Sequence, residues 1–236
     1  MRNRTGLILL FSLLLSSQFI VAQNDSLFIW KEANPHTANI AFYCRNQNGA
    51  IYNNFEVLQN VLDKKNKKLL FAMNGGMYHH NYKPVGLYIE DGDVIVQKET
   101  GTGKGNFYMK PNGIFYITKE KDAYIMETDK VDDLKKINYA TQSGPMLLLN
   151  GDIPDIFIPN STNLQIRNGV GINSDGNIIF AISKVPVSFF DFASFFKEKG
   201  CINALYLDGF VSRIYWPEKG YKNPAADISV IIGITD

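Results

Sequence analysis

The chain has 236 residues, with 24 Lys and Arg against 23 Asp and Glu and a formal net charge of +1. That balance, with no long basic block, excludes a non-specific nucleic-acid binder, which needs a clustered cationic face. Two cysteines and three histidines without C-x-x-C or H-x-x-x-H spacing exclude the familiar structural zinc patterns.

In chain order, the first segment has the parts of an export signal. Arg2 and Arg4 give a basic start, Gly6 to Leu15 is almost wholly apolar, and Val21-Ala22-Gln23 offers small residues for cleavage. Residues 1–23 are therefore read as a signal peptide and 24–236 as one domain. The apolar core is short of the ~20 residues a spanning helix needs, so no stable membrane span is expected after cleavage. The expected location is periplasmic or secreted.

Short β-branched and aromatic runs separated by Gly, Asn and Asp turns follow. Strands are predicted at Ala38–Cys44, Leu69–Met73, Val85–Glu90, Val94–Lys98, Gly113–Thr118, Ala123–Glu127, Met146–Asn150, Gly169–Asn173, Asn177–Ser183, Ala204–Leu207 and Ile228–Ile234. Asp91-Gly92 and Asp175-Gly176 carry the signal for tight hairpin turns, which disfavours a doubly wound parallel sheet. Helical spacing of apolar residues predicts helices over Asn54–Lys65 and Ser188–Lys199. Ser188 and Asp191 form a capping-box pattern, and Gly200 ends the second helix. The fold class is α+β: largely antiparallel β-structure with a few packed helices. Cys44 and Cys201, each beside apolar residues, are expected as buried free thiols rather than a disulfide.

Glycines meet polar groups at the ends of apolar runs in four stretches, "MNGGMYHH", "ATQSGPMLL", "QIRNGVG" and "LYLDGFVSR". In the first, Gly75 and Gly76 either cradle an anion with bare N–H groups or form a plain turn. Asn74 adds an amide for a sugar hydroxyl or phosphate oxygen. His79 and His80 follow, as acid–base groups or as solvated loop residues. Ser143 precedes Gly144 without a Gly-x-Ser-x-Gly context, so a substrate hydrogen bond or a turn fits better than a nucleophile. Arg167, before Asn168 and Gly169, offers a bidentate guanidinium suited to phosphate, although an arginine opening a strand is also ordinary. Asp208 ends a buried run, where a carboxylate is costly unless paired, hydrogen-bonded or metal-bound. Ser212 and Arg213 lie close behind it.

Taken in order, "NGGMY", "PVGLYIEDG", "ATQSGP", "RNGVG" and "LYLDG" resemble the phosphodiester glycosidase family, particularly its small exported bacterial branch. The resemblance runs from about Ile40 to the C-terminus. It implies a mixed α+β domain with its site on strand ends, and hydrolysis of a sugar-1-phosphate diester that releases the sugar. Matched position by position, the family's functional residues fall on Asn74 with Gly75 and Gly76, Ser143 with Gly144, Arg167 and Asp208. Phe210 and Val211 depart from the family, standing where relatives have further glycines before Ser212. The expected catalytic set is Asp208, Arg167 and Asn74. Gly75, Gly76, Ser143, Gly144, Asn168 and Ser212 are the expected substrate contacts. Arg167 and the Asn74-Gly75-Gly76 amides would hold phosphate, and Asp208 would be an acid–base group or a metal ligand. A divalent cation is compatible with this set, but its ligands are unknown. The expected partner is a glycan or sugar-phosphate substrate in an envelope or extracellular glycan. The alternative is a non-catalytic glycan-phosphate binding module or an envelope assembly protein on the same scaffold.

Overall fold

The structure is a computed structural model that describes residues 26–222 and 227–236. The signal-peptide reading of residues 1–23 lies outside the described residues. Among the described residues, fifteen strands form three five-stranded sheets in which every paired neighbour is antiparallel. The α+β expectation holds.

The first sheet has the order β1 (Phe28–Ala33), β11 (Ile178–Ser183), β10 (Asn168–Asn173), β12 (Cys201–Tyr206), β9 (Met146–Leu148). The second runs β14 (Tyr221–Lys222), β13 (Ile214–Trp216), β3 (Leu69–Asn74), β15 (Ile231–Thr235), β2 (Asn39–Tyr43). The third runs β5 (Asp93–Val96), β4 (Tyr88–Glu90), β8 (Ile137–Ser143), β6 (Gly113–Thr118), β7 (Ala123–Glu127). The largest buried apolar cluster draws on all three, with Phe71 and Ile232 from the second, Phe115 from the third and Phe180 and Leu205 from the first.

Local chemistry sets the predicted turns and caps. Asp91 and Gly92 both have positive φ, at 50° and 84°, and close the β4–β5 hairpin with Glu90 opposite Asp93. Helix α1 (Phe55–Asp63) starts after Asn54, whose side chain accepts from Val57 N, and it buries Phe55, Leu58 and Leu62. Helix α2 (Phe189–Glu198) carries the capping box between Ser188 and Asp191 and buries Phe189, Phe192, Ala193, Phe195 and Phe196. Each of those phenylalanines contributes about 2 kcal/mol by leaving water.

Helix α2 reaches β10 because that strand presents glycine. A Cβ on Gly171 would meet Cys201 Sγ at 2.6 Å and Phe196 Cδ1 at 2.7 Å, so any side chain there would lift the helix. Cys44 and Cys201 are both buried and free. Among the described residues, no helix is long and apolar enough to cross a membrane.

Candidate active site

The four polar stretches meet at the ends of strands from all three sheets. Asn74 closes β3, Ser143 closes β8, Asn168 opens β10, and Asp208 lies two residues beyond β12. Asn74 ties them together. Its side-chain Nδ2 donates to Asp208 O at 2.8 Å, its Oδ1 accepts from Arg213 N at 2.8 Å, and its main-chain oxygen accepts from Asn168 Nδ2 at 3.0 Å. Asp208 N donates back to Gly75 O, and Leu207 N to Asn168 O. Every bond of this set crosses between distant parts of the chain, so Asn74 serves as a buried main-chain fastener and its amide is not free for a substrate.

The expected anion cradle is absent. Gly75 N donates to Val230 O at 2.8 Å and Gly76 N to Thr141 Oγ1 at 3.2 Å, so both N–H groups are already used. Neither glycine has positive φ. They are glycines because the space is full: a Cβ on Gly75 would lie 2.5 Å from Val230 Cγ1, and one on Gly76 2.5 Å from Gln142 O.

Arg167 is also placed differently from expectation. The side chain is 1% exposed and cannot grip a phosphate in the cleft. Its Nε donates to Val187 O at 2.8 Å and Nη2 to Asn163 O at 2.9 Å. The guanidinium carbon lies 3.6 Å from the Phe189 ring centroid and 5.6 Å from that of Tyr206, two cation–π contacts. Burial lowers its pKa, partly offset by Tyr206 and Asp191.

Tyr206 was not among the expected site residues, although it sits two positions before Asp208 and so shares its face of the strand. It is 3% exposed, with Arg167 on one side and the Gly209 N–H on the other. A Cβ on Gly209 would meet its hydroxyl at 1.9 Å, so any larger residue after Asp208 would have to displace the Tyr206 ring. Burial holds the Tyr206 pKa up despite the arginine.

Asp208 itself is half-buried, with no cation in salt-bridge range among the described residues. Burial raises its pKa to about 6, opposed by a hydrogen bond from the Phe210 N–H. Tyr78, half-buried nearby, has its pKa pushed to about 12 by burial first and then by Asp208. Its hydroxyl donates to Asp227 O, and Tyr82 stacks on its ring at 5.7 Å. The motif that begins at Asn74 thus delivers a tyrosine to the site, while His79 and His80 stay exposed.

The remaining expected contacts are internal. Ser212 Oγ donates to Gly209 O at 2.8 Å and closes the turn after Asp208. Gly144 is wedged between Phe107 O and Asn112 Cβ. Ser143 Oγ and Asn168 Oδ1 are buried and have no hydrogen-bond partner among the described residues. Among those residues no group of three or more His, Cys, Asp or Glu is placed to hold a metal ion, so Asp208 has no ligand set around it. Around Asp208 stand Tyr78, whose pKa its charge raises, the half-buried Arg213, whose main-chain N–H reaches Asn74, and Phe210, two residues on and 97% exposed.

Fold and site together define a β-rich scaffold that displays one desolvated acid, flanked by tyrosines, where three sheets meet. The sequence profile of the phosphodiester glycosidase family matches residues 67–235, and the chain belongs to that family. The uncharacterised protein YigE of Escherichia coli K12 is 39% identical over 183 residues, which cover 77% of this chain and 71% of YigE. The catalytic domain of zebrafish N-acetylglucosamine-1-phosphodiester alpha-N-acetylglucosaminidase, auto-inhibited by its pro-peptide, has the same fold with a TM-score of 0.59 at 17% identity. That match covers 88% of this chain and 83% of the zebrafish domain. A protein of Synechocystis superposes with a TM-score of 0.54 at 14% identity, over 88% of this chain and 59% of its own.

Proposed function

We propose that this protein hydrolyses a glycosyl phosphodiester, with Asp208 as the acid–base group. The observation that carries the reading is the carboxyl of Asp208, half-buried with no cation in salt-bridge range among the described residues and its pKa raised by that burial to about 6, beside the strand ends where the three sheets meet. A group titrating near neutrality can donate a proton to the departing oxygen or take one from attacking water. Tyr78 remains protonated at neutral pH, and its hydroxyl, whose one proton is held by Asp227 O, can reach an anionic substrate only by exchanging that partner. Half-buried Arg213, whose guanidinium makes one hydrogen bond, to Ser212 O, among the described residues, is the cation for the phosphate. Arg167 acts one step back, as the positioning residue for Tyr206. The substrate is a sugar-1-phosphate diester in an envelope or extracellular glycan, a setting favoured by the export-like N-terminus.

The test is turnover. The purified protein is incubated with synthetic sugar-1-phosphate diesters of several sugars, and release of free sugar is followed. Release by wild type and its loss in Asp208→Asn support the reading. No release across the panel, or equal release by the variant, sinks it.

A further inference from the structure

Away from Asp208, a cavity of about 580 Å³ opens between the ends of β2 and β4, the β5 strand and the loop through Asn81 and Lys83. Its volume is in the range of small-molecule sites. Two cations, Arg45 and Lys83, and three carboxylates, Glu90, Asp91 and Asp93, line it. Among the described residues, none of the five forms an ion pair.

That separation is built in. Arg45 Nη1 donates to Gly49 O at 2.9 Å and Nη2 to Asn81 O at 3.4 Å, which holds the guanidinium to its own wall. Glu90 Oε2 accepts from the Tyr88 hydroxyl at 2.6 Å, and Asp91 accepts from the Tyr139 hydroxyl. Tyr88 is fully buried, so the Glu90 carboxylate is anchored from below. Burial, and Asp91 beside it, raise the Glu90 pKa, the mark of a carboxylate short of positive partners. Arg45 is held by main-chain oxygens and Glu90 and Asp91 by tyrosine hydroxyls, while Lys83 and Asp93 have no side-chain hydrogen bond among the described residues, so a ligand with charges of both signs would find partners on both sides of the cavity. Ile95, 56% exposed, and Pro84 add apolar surface for such a ligand's carbon frame.

We propose that this cavity binds a small zwitterion, its ammonium on Glu90 and Asp91 and its phosphate or carboxylate on Lys83 and Arg45. The inference is independent of the hydrolase reading, because none of these residues takes part in the Asp208 cluster.

Calorimetric titration of the full chain with glucosamine 6-phosphate, glucose 6-phosphate and glucosamine tests it. The amino-sugar phosphate is expected to bind at least about tenfold more tightly than either sugar with a single charged group, since each lost group removes a charge-assisted hydrogen bond. Lys83→Ala, at an exposed position, should erase the preference over glucosamine, and Glu90→Gln, which keeps an acceptor for Tyr88, the preference over glucose 6-phosphate. Asp208→Asn should leave all three affinities unchanged. Equal affinity for the three sugars, or no binding of any, overturns the proposal. So does binding that survives both cavity substitutions but is lost in Asp208→Asn, because the ligand would then sit in the other site.

Discussion

Asn74 holds Asp208 by the main chain: the amide donates to Asp208 O at 2.8 Å while the same side chain accepts from Arg213 N at 2.8 Å. The residue bearing the acid is thus clamped from both sides of its turn. Asn74→Asp keeps the acceptor and loses the donor, placing a carboxylate oxygen against a carbonyl in a buried position. A loss of about 2–3 kcal/mol is expected from that unmet pairing, read as a lower denaturant midpoint. Asn74→Ala should cost a similar amount, and neither variant should keep full activity.

Asp208 is costly to the fold in its charged form. Its folded pKa, about 6, stands above the ordinary 3.8, so the folded state holds the proton longer than the unfolded chain. The penalty is absent well below 3.8, grows between 3.8 and about 6, and is complete above about 6. Asp208→Asn should therefore be more stable than wild type at pH 8, by on the order of 2 kcal/mol after allowing for partial exposure, and no more stable at pH 3. Thermal melts at the two pH values check this. If Asp208 works as an acid, activity should fall as pH rises through about 6, and as a base it should fall in the other direction.

Arg167→Ala is expected to fail in stability before it fails in chemistry. The change strips donors from Val187 O and Asn163 O and leaves a void beneath Phe189. A cost of about 3 kcal/mol or more follows for a buried, hydrogen-bonded cation. Arg167→Lys keeps the charge but not the fork or the stacking, and should recover only part of the stability. Differential scanning calorimetry of the two variants would separate this role from a direct grip on phosphate, under which Tm would barely move.

The paired glycines should respond differently to the same substitution. At Gly75 the obstacle is a side chain, Val230 Cγ1, whereas at Gly76 it is the main-chain oxygen of Gln142. Gly75→Ala should lose about 1–3 kcal/mol and recover in a Val230→Ala background, which empties the crowded space. Gly76→Ala should lose as much with no such rescue. Urea midpoints of the single and double variants decide the matter.

Phe210 should be silent in folding and audible in kinetics. With the ring 97% exposed, Phe210→Ala is expected to change stability by less than about 0.5 kcal/mol. Two residues from the acid, an aromatic face is a stacking surface for a sugar ring, and its loss should raise KM several-fold with kcat little changed. An unchanged KM would remove Phe210 from the site.

Features fixed by neighbours in sequence were readable in advance. The Ser188–Asp191 box and the Asp91-Gly92 hairpin depend on atoms within a few residues, and each stands where the pattern places it. Strand β1 escaped because "FIWKEA" lacks a clean alternation and is fixed by its pairing with β11. Strand β8 escaped because its last residues, Thr141, Gln142 and Ser143, are polar yet buried. Arg167 is legible as a residue, but the direction of its guanidinium depends on Phe189, from a helix twenty-two positions on. Tyr206 was readable from its two-residue offset to Asp208 but hidden by the apolar run around it. The cradle failed for a physical reason: the two glycine N–H groups answer acceptors at Val230 and Thr141, far along the chain.

The fastening of Asp208 to Asn74, and of Asn74 to Asn168, lies between strand ends of different sheets and borrows nothing from the surface segments at 97–105 and 153–164. The position of the acid is therefore set by how the sheets meet and not by the loops that lie over them. A change in the exposed segment at 97–105 would leave that fastening in place, whereas the segment at 153–164 carries Asn163 O, the acceptor for Arg167, and the buried Phe157, and is held to the core by both.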